Sequence, residues 1–282
     1  SVSDEERRQT ERIGSENVCL ILSQALRTKV QFLGSKVYSS WYQIHLQKLR
    51  RFEVEAVKKW FQEGMCVLEV GGESGYQASM IASYGCTVSS IDLVPRNRTG
   101  ESHFPVQDYD GAHIPFEAAS FDLVFSSNVL EHVQDLEVLL TEMRRVLKPG
   151  GVMIHILPTA TWRFWTSVAH YGYLLKVLSK GEVEMRGKTR SIPVQSIIKG
   201  NTIPYLLKQA LLAGPHGVYP NALSELYYFS RLHWLTLFKK NGLDVLKICK
   251  HGLFYTGYGL FHALSLEARR RMSCFMGSSC HI

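Results

Sequence analysis

The sequence predicts an α/β protein built on a doubly wound, mostly parallel sheet of seven strands, with helices before it and a helical insertion after the fifth strand. Three observations carry that expectation. Between residues 65 and 157, strand-like segments alternate with helix-like ones, the pattern of parallel strands joined by crossover helices. The first run, Met65 to Val70, meets a turn with glycines at 71, 72 and 75 and then a helical segment over 76–84. The next run, 86–92, ends on Asp92, which matches the spacing of about 20 residues between a glycine turn and a ribose-binding acid.

The elements follow in order. Residues 1–64 read as helical: 15–30 and 46–61 carry apolar residues at helical spacing, and Gly64 stops the second. Strands are expected at 65–70, 86–92, near 103–107, and at 121–127 and 151–157. Between the last two, 134–147 reads as a helix with Leu136, Leu139, Leu140, Met143, Val146 and Leu147 on its buried face, ending at the turn Lys148-Pro-Gly-Gly151. Residues 158–225 are rich in aromatics and read as an insertion over the carboxyl ends of the strands, either a lid with the acceptor pocket or a helical completion of the core. Then come a helix over 223–240 capped by Gly242, a strand over 243–249 and a strand-like stretch at the chain end. The expected division is 1–64 helical region, 65–157 sheet core, 158–225 insertion and 226–282 the remainder of the core.

Composition narrows the class. With 45% hydrophobic and 20% charged residues, the 282-residue chain is an ordinary globular one with enough length for a full core. No run approaches the roughly 18 apolar residues of a membrane span, and the charged start Ser1-Val-Ser-Asp-Glu-Glu-Arg-Arg lacks the apolar stretch of a signal peptide, so a cytoplasmic location is expected. The net charge of +7 lies in small clusters without interleaved aromatics, which argues against nucleic acid as partner. Six scattered cysteines include no C-x-x-C pair, and the grouping of Cys274, Cys280 and His281 has no second cluster beside it, so reduced thiols and no metal site are expected.

A strand, a glycine turn and a helix N-terminus make a cradle for a nucleotide-like ligand. Two further blocks accompany it: Tyr109-Asp-Gly-Ala-His-Ile-Pro-Phe116 with Ser120-Phe-Asp-Leu-Val124, and Ser127-Asn-Val-Leu-Glu-His132 with Arg145-Val-Leu-Lys-Pro-Gly-Gly151. In this order and spacing, 65–157 resembles the class I S-adenosylmethionine-dependent methyltransferases, particularly the branch acting on small molecules, and implies their Rossmann-like fold and S-adenosyl-L-methionine as cofactor.

The resemblance implies a role for each matched position. Glu69 would hold the cofactor's ammonium, and Gly71, Gly72 and Gly75 would let the backbone approach its sugar and methionine portion. Asp92 would accept from both ribose hydroxyls, and Asp110 from the adenine amino group with the Gly111 N–H on the ring, Asp108 being the alternative acid. Ser127 and Asn128 would line the floor near the reactive methyl. One position departs from the pattern: Glu73 stands where the family's loop usually has glycine, which reads either as a tolerated substitution or as the mark of a cofactor-free relative.

A sulfonium methyl is already activated, so such an enzyme works mainly by alignment for in-line attack, with a general base only for an alcohol or protonated amine. His216, in the loop Gly214-Pro-His-Gly217, and His132 are the candidate bases, and His155 reads as a buried strand residue. Trp162, Arg163 and Trp165 would frame a small or lipid-like acceptor, with Arg163 facing an anion, and the aromatic stretch 162–178 leaves room for peripheral membrane contact. Two other readings stand beside this one: a non-catalytic protein of the same fold, for which Glu73 is the clue, and a dinucleotide-dependent oxidoreductase, which would favour a full G-x-G-x-x-G. The acceptor, the atom methylated and the oligomeric state are not specified by any motif.

Overall fold

The computed structural model describes residues 40–93, 102–180, 182–184, 191–193, 213–256 and 264–282. The helical expectation over 15–30 lies outside those residues.

The core is a six-stranded sheet in the order β3-β2-β1-β4-β5-β8. Its strands are β1 (Cys66–Val70), β2 (Thr87–Leu93), β3 (Gln107–Tyr109), β4 (Phe121–Ser127), β5 (Leu147–Pro158) and β8 (Cys280–His281). All pair in parallel except β8, which runs antiparallel at the edge against Leu157 and Pro158. A separate small hairpin joins β6 (Glu182–Glu184) to β7 (Ser191–Pro193). β1 lies between β2 and β4, so the chain leaves it first to one side and later to the other. That switch point lies at the carboxyl ends of β1 and β4, where the glycine turn 71–75 and Asn128 are found.

Strand β1 is apolar except for Glu69 because both of its faces are covered. On one face Val67 packs with Leu123, Phe125 and Ile154 of the neighbouring strands, and with Val54, Val57, Phe61 and Ile81 of the covering helices. These helices are α1 (Ser40–Val57), which continues into a 3₁₀ turn at Lys58–Trp60, and α2 (Tyr76–Ala82). On the other face Leu68, Val70 and Val124 meet α3 (Leu136–Val146) through Leu136, Leu139, Leu140, Met143 and Val146. Burying each such side chain contributes roughly 1.5–3 kcal/mol, so the stripe on α3 is a main anchor of that layer. Trp162, on α4 (Ala160–Lys180), and Phe229 and Trp234, around α5 (Ala222–Tyr228) and α6 (Arg231–Lys240), complete this side.

Three expectations are corrected. The sheet has six strands among the described residues, because 243–249 forms none: Leu246 is 75% exposed with no neighbouring strand, and only Cys249 pairs, exchanging two 2.9 Å backbone hydrogen bonds with Ile282. The helix over 223–240 is two helices, since Ser230 adopts an extended backbone and its hydroxyl accepts from the His233 N–H to start α6. The turn at 148–151 lies inside β5 as an irregularity, the register jumping from Phe121↔Leu147 to Leu123↔Val152. Near the C-terminus a further helix, α7 (Leu266–Met276), is capped by Ser265. No helix among the described residues is long and apolar enough to cross a membrane.

Candidate active site

The cradle is built from backbone. At the end of β1 the chain turns at Gly71, with φ +83°, and the Gly71 and Gly72 N–H groups donate to the Ile91 carbonyl at 2.8 and 3.1 Å. A β-carbon on Gly72 would lie 2.0 Å from the Ser90 hydroxyl and 2.8 Å from Glu69 Oε2, so only glycine lets Glu69 stand beneath the turn. Gly75 enters α2 in the left-handed region, with the Phe104 carbonyl 2.6 Å from where its β-carbon would be. Glu73 also takes a left-handed conformation, φ +47°, and its N–H donates to Asp92 Oδ2 at 2.7 Å. The turn therefore keeps the shape that a glycine would give it, at a local strain of about 1 kcal/mol.

Glu69 is 2% exposed and accepts a 2.6 Å hydrogen bond from the Ser90 hydroxyl. Loss of water pushes its carboxyl up to about 7, against the pull of that hydrogen bond. Asp92 stands at the end of β2, with Oδ1 accepting from the Leu93 N–H at 2.7 Å. Asp110 is exposed and organises its own loop: Oδ1 accepts from the Ala112 and His113 N–H groups at 2.8 and 2.7 Å, and Oδ2 lies 3.1 Å from the His113 ring. Those donors hold its carboxyl down to about 2. Gly111 follows with φ +87°, and Asp108 stands in register beside Asp92 across β2 and β3.

The floor at the end of β4 contains residues that the sequence reading missed. Glu53 of α1, 1% exposed, accepts from the Ser127 hydroxyl at 2.9 Å, from Asn128 Nδ2 at 3.2 Å and from Gln77 Nε2 at 3.2 Å. Arg50 pairs with it at 2.9 Å. Burial alone would raise the Glu53 carboxyl, but Arg50, His251 and these hydrogen bonds hold it below its ordinary range. Asn128 sits at φ +55°, a conformation that asparagine tolerates well. The missed signal is the pair Arg50 and Glu53 at i, i+3, adjoining the buried Leu49, Val54 and Val57 of the same helix.

A second corner forms where the 3₁₀ turn Leu130–His132 meets the loop 214–218. The His132 and His216 rings are 4.8 Å apart, edge to face, and Trp162 covers His216 at 4.6 Å. The Val218 N–H donates to the Glu131 carbonyl at 3.1 Å, and a β-carbon on Gly217 would lie 2.2 Å from that same oxygen. Glu225 Oε1 accepts from the His216 and Gly217 N–H groups at 2.6 and 2.7 Å, while Oε2 pairs with Arg163 at 3.2 Å. Both imidazoles keep an exposed edge, yet desolvation by their packing lowers His132 and takes His216 down to about 3, with His132 and Arg163 adding to the latter. They are neutral at pH 7.

The remaining predicted residues divide. Arg163 is 2% exposed and its charge is met by Glu225, so it does not face an open anion site. Trp162 is buried against His216, and Trp165, half-buried, donates from Nε1 to the Met276 carbonyl at 3.0 Å. His155 shares a 2.8 Å hydrogen bond with the Ser126 hydroxyl and stacks on Phe238, as a strand residue does.

A family model described as a methyltransferase domain matches residues 42–248, more than half of the 282-residue chain. The ubiquinone biosynthesis O-methyltransferase of Caulobacter vibrioides is 26% identical over 192 residues, covering 64% of this chain and 73% of that protein. The malonyl-(acyl-carrier protein) O-methyltransferase of Serratia marcescens is 33% identical over 97 residues, 32% of this chain and 37% of its own length. The solved structure of an S-adenosylmethionine-dependent methyltransferase from Mesorhizobium loti matches with a TM-score of 0.42 at 15% identity, covering 70% of this chain and 83% of that one. The dinucleotide reading gives way to this family match, and the chain belongs to the methyltransferase-domain family as a class I enzyme that uses S-adenosylmethionine.

Proposed function

We propose that this enzyme transfers a methyl group to a small or lipid-like acceptor by in-line displacement, with positioning supplying most of the catalysis. The observation that carries the reading is Glu69. A carboxyl kept beneath Gly72, where no β-carbon fits, and pushed up to about 7 by loss of water is poised for a cationic partner. The ammonium of the cofactor's amino-acid portion is such a partner, so the residues present fit it. S-adenosylmethionine supplies, when bound, a sulfonium methyl already activated toward attack.

The roles of the chain's own residues follow from their chemistry. Gly71, Gly72 and Gly75 bring backbone against the cofactor without side chains in the way. Asp92 keeps lone pairs after accepting from Glu73 and Leu93, enough for both ribose hydroxyls. Asp110 with the Gly111 N–H takes the adenine edge, Asp108 being the alternative acid. Ser127 and Asn128, fixed by Glu53, form the floor beneath the transferring methyl. In the absence of a bound ion, one of the two neutral imidazoles, His216 or His132, is the candidate to take the single proton released by the acceptor, and Trp162 and Trp165 border its path. Arg163 acts by holding the His216 loop rather than by binding an anion. The O-methyltransferase names of the two relatives support an oxygen nucleophile.

Calorimetric titration with S-adenosylhomocysteine tests the reading without knowledge of the acceptor. One saturable site is expected, weakened at least about a hundredfold in Asp92→Ala, because two hydrogen bonds to a charged group are lost. Absence of heat at millimolar ligand, in both the parent protein and Glu73→Gly, would overturn it.

A further inference from the structure

Glu131 carries a carboxyl that no side chain satisfies. It is 0% exposed, and among the described residues only its own backbone N–H stands close enough to help, so burial raises the carboxyl above its ordinary range. A buried carboxyl in that state carries a large desolvation penalty unless a cation or donor meets it. His132 Nε2 lies 3.9 Å from Oε1. His216 arrives from a distant segment to the same place, and one ligand atom from each of the three lies within 4.8 Å of the others.

That juxtaposition is held firmly. The loop bearing His216 is tied to the Glu131 backbone by the Val218 N–H and by the close approach of Gly217, and it is clamped from behind by Glu225 and Arg163. A Zn²⁺ ion at about 2.0–2.1 Å from each donor places tetrahedral ligand atoms about 3.4 Å apart, so rotations of roughly an ångström at the side-chain ends would close the site. The exposed edges of His132 and His216 provide an entry path. Two imidazoles and one carboxylate suit Zn²⁺, Mn²⁺ or Co²⁺ better than the all-oxygen sets preferred by Mg²⁺ and Ca²⁺.

We propose that Glu131, His132 and His216 bind one divalent transition-metal ion, whose remaining coordination positions face the open side of the histidines. There the ion would take an acceptor oxygen and lower the pKa of its hydroxyl, which replaces His132 and His216 as proton acceptors while they serve as ligands, an extension that rests on the methyl-transfer reading. The sequence offered no metal spacing because the third ligand comes from a loop far along the chain.

The test uses the 282-residue chain without a polyhistidine tag, stripped with EDTA and titrated with Zn²⁺ by calorimetry and with Co²⁺ by visible absorption. One equivalent is expected, with Co²⁺ bands of a site of low coordination number. His132→Ala, His216→Ala and Glu131→Gln should each weaken binding at least about tenfold, with thermal transitions in EDTA recorded to confirm that each variant folds. Absence of binding, or equal binding by the parent and a folded His216→Ala variant, would overturn the proposal. S-adenosylhomocysteine titration of the same stripped protein separates the two readings: binding retained while the metal fails removes the cation site alone, and metal retained while it fails removes the cofactor reading alone.

Discussion

The glycine turn at 71–75 and the histidine corner around Glu131 both lie at the ends of parallel strands, yet they are assembled from different distances along the chain. The turn is closed by bonds between sequence neighbours: Glu73 to Asp92 across 19 residues, and Ser90 to Glu69 across 21. The corner needs Arg163 to reach Gly214 across 51 residues, and Glu131 to meet Val218 from another segment altogether. A ligand cradle made of local backbone depends on the absence of side chains. A corner made of imported side chains depends on a buried ion pair that keeps the imported loop in place. Damage to one should leave the other nearly intact.

The largest expected effect is at the ion pair. Glu225→Ala removes the carboxylate that faces the buried Arg163 and frees the His216 and Gly217 N–H groups, at a cost of about 3–5 kcal/mol. Differential scanning calorimetry should record a fall in Tm of about 10 °C, while S-adenosylhomocysteine affinity measured below the transition stays within about threefold. A comparable loss of affinity would mean that the two regions are one unit.

Gly72→Ala probes the cradle. Its new methyl meets Ser90 Oγ at 2.0 Å and Glu69 Oε2 at 2.8 Å, so both must shift. Overpacking of this kind costs about 1–3 kcal/mol, and here the loss should show in ligand affinity, with the His132 and His216 resonances unchanged by NMR.

The smallest effect sharpens the comparison through pH. Glu69 has a folded carboxyl raised to about 7, so below that pH the ligand-free protein holds a proton that an incoming ammonium must displace. Affinity should therefore rise with pH up to about 7, by at most about tenfold per unit, and then level off. Glu69→Gln should flatten the profile. An unchanged slope in that variant would place the titrating group elsewhere.

How much was readable follows the same division. The strands at 65–70 and 121–127 are legible because β1 and β4 are largely apolar runs bounded by turn residues, the one at 86–92 because β-branched residues lead to the acid at its end, and the helix at 134–147 because its stripe repeats at helical period. The run 243–249 differs because strand-like composition describes a segment that fits a sheet edge, not one that has found a partner. Arg50 and Glu53 were hidden in a helix that scored as ordinary and amphipathic. Their significance lies in facing Ser127 and Asn128, which no local pattern encodes.

From the sequence by itself came the parallel sheet, the glycine turn with Glu69 beneath it and the acid at the end of β2, because each depends on period, glycine freedom or spacing within one strand–turn–helix unit. Only the tertiary structure decided that Arg163 clamps a loop instead of facing an anion, that Glu53 holds the floor and that His216 stands beside His132 and the orphaned Glu131. Those facts are set by desolvation. A buried charge takes whichever partner the packing brings within reach, and that partner is chosen by the fold rather than by its neighbours in sequence.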